Sequence, residues 1–140
     1  VINITKKIRT AYYTALNGVI SVPVVDGWDM SNGMVEDHVI IKNIQEVKQD
    51  RTQQTYGAQA IVELDIVTYM KNGFTSDTRD EIEGEILAVL KPTINTNGLT
   101  VTGIGLYNVE KEGSNDIDEI SPSGNVLRKI LRISQFIQQN

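Results

Sequence analysis

Apolar and polar positions alternate with period two from Ala60 to Tyr69, then shift to helical spacing up to Pro92. Val62, Leu64 and Ile66 fall on one side of an extended chain and Glu63 and Asp65 on the other, because successive side chains of a strand point to opposite faces. After a short polar turn, Ile82, Ile86, Val89 and Leu90 recur as one stripe, and this predicts a helix over Thr78 to Leu90, stopped by Pro92. That helix has its apolar stripe free to lie across the greasy side of the strand. A layered sheet-and-helix domain follows.

The flanking segments extend the same plan. Ile8, Ala11, Tyr12, Ala15 and Leu16 form a helical stripe between Thr5 and Asn17, with Thr5 as a cap and Gly18 as the stop. Val19 to Val25 reads as a short β-branched strand that belongs on an edge or contains a break, because Pro23 lacks an amide donor. Trp28 to Asp37 carries no periodicity and reads as a loop, and His38 to Ile44 reads as a strand. Gln45 to Gly57 is too polar to form core, so it predicts a loop or a hairpin arm. Leu99 to Val109 predicts a strand weakened by Gly103 and Gly105, which indicate a bulge or a close backbone approach, followed by a polar excursion from Glu110 to Asn125. Val126 to Ile137 fits both periods. Its β-branched content and the need to complete a sheet favour a strand. The expected fold is α+β: a mostly antiparallel sheet with two helices packed on one face, in the order helix, two or three strands, helix, two strands.

The chain has 140 residues, 40% of them hydrophobic, which suits one domain spanning residues 1–140 with a polar arm at about 45–58. It holds no cysteine, which removes thiolate nucleophiles and thiolate metal ligands, and no apolar run approaches the roughly 20 residues of a membrane helix. No membrane partner is expected, and the reading is of a protein located in the cytoplasm. A net charge of -5 argues against affinity for bulk nucleic acid, whose phosphates are bound by cations. The cations Arg128, Lys129 and Arg132 form a basic cluster, read as decoration of a partly exposed element.

Candidate chemistry is sparse. His38 is the one histidine, so a histidine-based triad or a two-histidine zinc site within one chain is excluded. Asp26, Asp29, Asn32, Glu36 and Asp37 crowd one loop but lack the alternate-residue spacing of a calcium loop. Asp116, Asp118 and Glu119 read as a solvated turn region. Glu63 and Asp65 lie about 7 Å apart along one strand face, where burial of either would set up acid and base chemistry. No cofactor and no metal is expected.

The helix over Thr5 to Asn17, the strand Ile61 to Tyr69, the helix over Thr78 to Leu90 and two closing strands follow one another in an order that resembles the tail terminator or tail completion proteins of long-tailed bacteriophages. Within Val62 to Pro92, a strand ends in the aromatic Tyr69, a turn carries Lys71-Asn72-Gly73, and a helix with a charged start follows. Asn125 to Ile137 looks like that family's final strand, although the polar stretches at Gln45 to Gly57 and Glu110 to Asn125 depart from it.

The resemblance implies a non-enzymatic virion protein, assembled in the host cytoplasm, that forms a ring, expected to be hexameric, at the head–tail junction. There it would cap the tail tube and dock to the connector, while DNA passes through without specific binding. Under this reading Trp28, Met30, Gln53, Gln54 and Tyr56 are expected subunit contacts, as large or amphipathic groups on polar segments. Glu63 and Asp65 are expected to line the channel and repel phosphate. The competing readings are a small α+β binding module and a small acid/base enzyme, a hydrolase or isomerase built on Glu63 and Asp65 or on the loop acids.

Overall fold

The computed structural model describes residues 4–26, 36–51, 56–70, 77–93, 98–101, 104–121 and 124–139. Among them, helix α1 (Ile4–Leu16) leads into a three-residue strand β1 (Val24–Asp26). Strands β2 (His38–Arg51) and β3 (Tyr56–Met70) are followed by helix α2 (Asp77–Leu90), and the chain closes with β4 (Ile104–Ser121) and β5 (Gly124–Gln139). The five strands form one sheet in the order β1-β2-β3-β5-β4, parallel between β1 and β2 and antiparallel at every other pairing. The α+β class, the element order and the helices packed against the sheet agree with the sequence.

The sheet's side-chain parity decides what is core. Val39 and Ile41 on β2, Ala60, Val62, Leu64 and Ile66 on β3, and Leu131, Ile133 and Ile137 on β5 are buried on one face. Against them pack Ile8, Tyr12 and Leu16 of α1 and Ile82, Ile86 and Leu90 of α2, which are the stripes the helical spacing predicts. One polar pair crosses this core. The Tyr12 hydroxyl donates to Gln135 Oε1, and Gln135 Nε2 donates to the Ala60 carbonyl at 2.8 Å. Burial pushes the Tyr12 phenol well above its ordinary range, so it stays a neutral donor.

Strand lengths explain the shape of the arm. Strands of 14 to 18 residues reach about 50 Å, whereas helices of 13 and 14 residues reach about 20 Å. The sheet therefore overhangs its helical layer. Gln45 to Arg51 pairs with Tyr56 to Ile61, so the polar stretch after Ile44 is a hairpin arm continuous with the sheet.

Several expectations change in detail. Among the described residues the first strand is shorter than Val19 to Val25, beginning only after Pro23, whose carbonyl accepts from the Val39 amide at 3.0 Å. The stretch from Glu110, expected as a polar excursion beyond the strand, continues the strand as far as Ser121, and its bulges fall between Tyr107 and Glu110 and between Lys111 and Gly113. The β4 stretch beyond Val109 lies past the apolar core and pairs with β5 through its backbone, while Lys111, Asp116 and Asp118 meet charges on α2, so it needs no apolar alternation. The ambiguous segment Val126 to Ile137 is strand, paired on both sides.

Two glycines have fixed roles at helix ends. Gly18 adopts φ of 80°, the left-handed stop after α1. Gly98 donates to the Leu90 carbonyl at 2.9 Å, and a Cβ there would lie 1.8 Å from the Val89 carbonyl oxygen. Gly98→Ala must displace the last turn of α2, at a cost of about 2 to 3 kcal/mol. A urea midpoint lowered accordingly, without a change in slope, checks this.

Candidate functional site

Charges that look like surface decoration in the sequence are built into both faces of the sheet. On the helix-covered face, α2 presents Arg79, Glu83 and Ile82, Ile86, Leu90 at one helical spacing, so its stripe begins charged and ends apolar. Lys129 of β5 has the core parity of Leu131 and Ile133 and is 8% exposed. Its ammonium donates to Glu83 at 2.7 Å and to Asp80 at 2.5 Å, and Lys111 of β4 also donates to Glu83. Arg79 donates to Asp118 at 2.7 Å and reaches Asp116 at 3.5 Å. The first turns of α2 are thus fastened to β4 and β5 by ion pairs.

These contacts set the direction of titration. Hydrogen bonding from Lys129 holds the Asp80 carboxyl below the usual carboxylate range. Burial opposes ionisation of Glu83, but hydrogen bonds from Lys111 and Lys129 outweigh it and lower its pKa. Burial likewise opposes the charge on Lys129, and Asp80 and Glu83 outweigh it and raise its pKa. Carboxylates lowered by folding stabilise the fold above their unfolded values near ~4, and that contribution is lost as pH falls through the folded values. The raised lysine contributes below its unfolded value near ~10.4 and loses that contribution as pH rises through its folded value. Stability measured by urea should therefore hold between about pH 5 and 10 and fall on either side.

On the opposite face, Asp65 lies between Ile40 and Ile130, its direct neighbours across β2 and β5, and is fully buried. Arg128 forms a two-pronged ion pair with it and also donates to Glu119 at 2.8 Å. These acceptors outweigh burial and raise the Arg128 pKa further. Glu63, on the same strand face, is half-buried, accepts from Asn43 at 3.3 Å and sits opposite Arg132. A groove of about 510 Å³ opens there between Asn43, Gln45, Ile61, Glu63 and Arg132. Phe136, further along this face, is 45% exposed. The face is closed at its Asp65 end and open toward the arm.

The remaining candidate residues are dispersed. His38 is buried, its Nδ1 2.8 Å from the Glu36 carbonyl oxygen, and its ring stacks on Tyr69. Asp26 accepts from Arg9 at 2.7 Å, and Asp37 accepts from the Tyr69 amide at 2.8 Å. Among the described residues no group of three or more metal-ligating side chains converges, and no helix is long and apolar enough to cross a membrane. Trp28, Met30, Gln53 and Gln54 lie outside the described residues, as does the side chain of Tyr56, whose backbone opens β3. Sequence reasoning missed the roles of Arg79, Glu83, Arg128 and Lys129. The detectable signal is parity: Lys129 follows the core alternation of β5, and Arg79 and Glu83 follow the apolar stripe of α2.

No sequence-family model and no curated protein matches this chain. The fold does have a counterpart among solved structures. A chain of the virion of a native gene transfer agent particle superposes with a TM-score of 0.72 at 11% identity, over 99% of this chain and 99% of that one. The two proteins share one fold from end to end.

Proposed function

We propose that this chain is a structural, non-enzymatic subunit of a phage-like particle, forming a ring at the head–tail junction as a tail terminator or joining protein. The observation that carries this reading is the end-to-end likeness to a virion chain, with neither protein holding more than a small unmatched remainder. The overhanging sheet supports it, since strands of about 50 Å with a helical layer of about 20 Å leave long backbone edges for neighbouring copies. Trp28, Met30, Gln53, Gln54 and Tyr56 remain the proposed contacts of the loop and arm. Of the two carboxylates assigned to the channel, Glu63 keeps that role. Asp65 is neutralised by Arg128 inside the subunit and adds little repulsion toward passing phosphate.

Particles purified from the producing host and labelled with antibody against this chain test the assignment. Label at a single position between head and tail is the expected result. Absence from particles, or label spread along the tail, contradicts it.

A further inference from the structure

The two lateral ends of the sheet carry opposite charge at the same height. β4, the outermost strand at one end, bears Glu110, Glu112, Asp116, Asp118 and Glu119 against the single cation Lys111, which is bound to Glu83. Asp116 and Asp118 pair with Arg79 and Glu119 pairs with Arg128, so the charge this strand offers a neighbour rests on Glu110 and Glu112. At the other end, α1 packs on β1 and β2 and bears the cations Lys6, Lys7 and Arg9, of which Arg9 is paired with Asp26 of β1. Beside α1, between it and the segment 98–101, lies a groove of about 460 Å³ with Lys6, Lys7, Thr10, Thr14 and Thr100 around an apolar floor of Ala11 and Val101. Arg9 donates to the Ile41 carbonyl at 3.0 Å, which fixes the level of α1 along the strands. Across the sheet, Ile41 pairs with Leu64, Leu64 with Leu131, and Leu131 with Ser114, in the middle of the acidic stretch.

Resting on the ring reading above, we propose that copies join head to tail, with the outer edge of β4 in one copy docked against the basic flank and groove of α1 in the next. Opposite ends at equal height need little shift along the strand axis to meet, and a heterologous contact closes into a ring when the rotation between copies divides a full turn. Strand direction also agrees. β1 runs parallel to β2 and therefore opposite to β4, so the β1 edge of one copy approaches the β4 edge of its neighbour in antiparallel sense. β1 is only three residues long, so side-chain charge supplies the selectivity that so few backbone bonds cannot. The same carboxylates, with the two bulges, deter indiscriminate pairing of a long open edge.

The absence of cysteine allows a direct test. Thr14→Cys and Glu112→Cys, both at exposed positions, are made singly and together in the full chain and treated with a short bismaleimide while mass is followed by light scattering. The double variant should give a ladder of covalent multimers, and each single variant alone should give none. Glu110→Lys with Glu112→Lys should lower assembly in the unmodified chain by about tenfold or more, and adding Lys6→Glu and Lys7→Glu should restore it. Cross-linking of either single variant with itself would mean a two-fold contact and overturn the proposal. Assembly without a ladder in the double variant would overturn this interface and leave the ring standing. A protomer mass of 15.6 kDa at every concentration would overturn both.

Discussion

Arg128→Met is expected to be the most damaging single substitution, lowering stability by about 3 to 5 kcal/mol. Asp65 has no exposure of its own and is flanked by Ile40 and Ile130. Without the guanidinium its charge is left in an apolar slot, and an unpaired buried charge costs far more than the pair contributes when intact. The companion variant separates the pair from the packing. Asp65→Leu in the Arg128→Met background should recover most of the loss, since hydrophobic replacement of a buried pair is often neutral. Urea denaturation at pH 7 reads both. If Arg128→Met unfolds at the wild-type midpoint, the pair is not what holds β3 to β5 at this level.

Lys129→Met should follow, at about 2 to 4 kcal/mol. Glu83 is largely buried and loses one of its two ammonium partners, keeping Lys111, so the cost falls below that of a fully orphaned charge. The variant also changes the pH dependence. Asp80 and Glu83 owe part of their lowered pKa values to Lys129, so the variant should lose less stability than wild type between pH 7 and pH 3. Equal acid sensitivity in the two proteins would show that Lys129 does not set these titrations.

What the sequence makes legible follows from burial. Strand β3 and both helices are plain because each has one apolar side: Val62, Leu64 and Ile66 on the strand, Ile8, Tyr12 and Leu16 on α1, Ile82, Ile86 and Leu90 on α2. β4 is hard to read because it takes its structure from backbone pairing with β5, and its polar side chains from Glu110 to Glu119 are largely exposed or paired with charges from α2 and β5. Asp65 and Lys129 are hard for a different reason. Alternation places them on the correct faces, yet a charged residue read alone suggests solvent, and its burial becomes intelligible only with the partner from another strand or helix. Arg128 lies 63 residues from Asp65, and Lys129 lies 46 from Glu83. Such pairings are fixed by sheet register, which the pattern of a single segment does not contain.

The central claim is that this sheet is built to be completed by copies of itself. Electron microscopy of the purified chain at high concentration, with mass measured on the same sample, tests it most directly. The account predicts closed rings with an open centre and a mass several times 15.6 kDa. A uniform population of single globular particles at the protomer mass would contradict it.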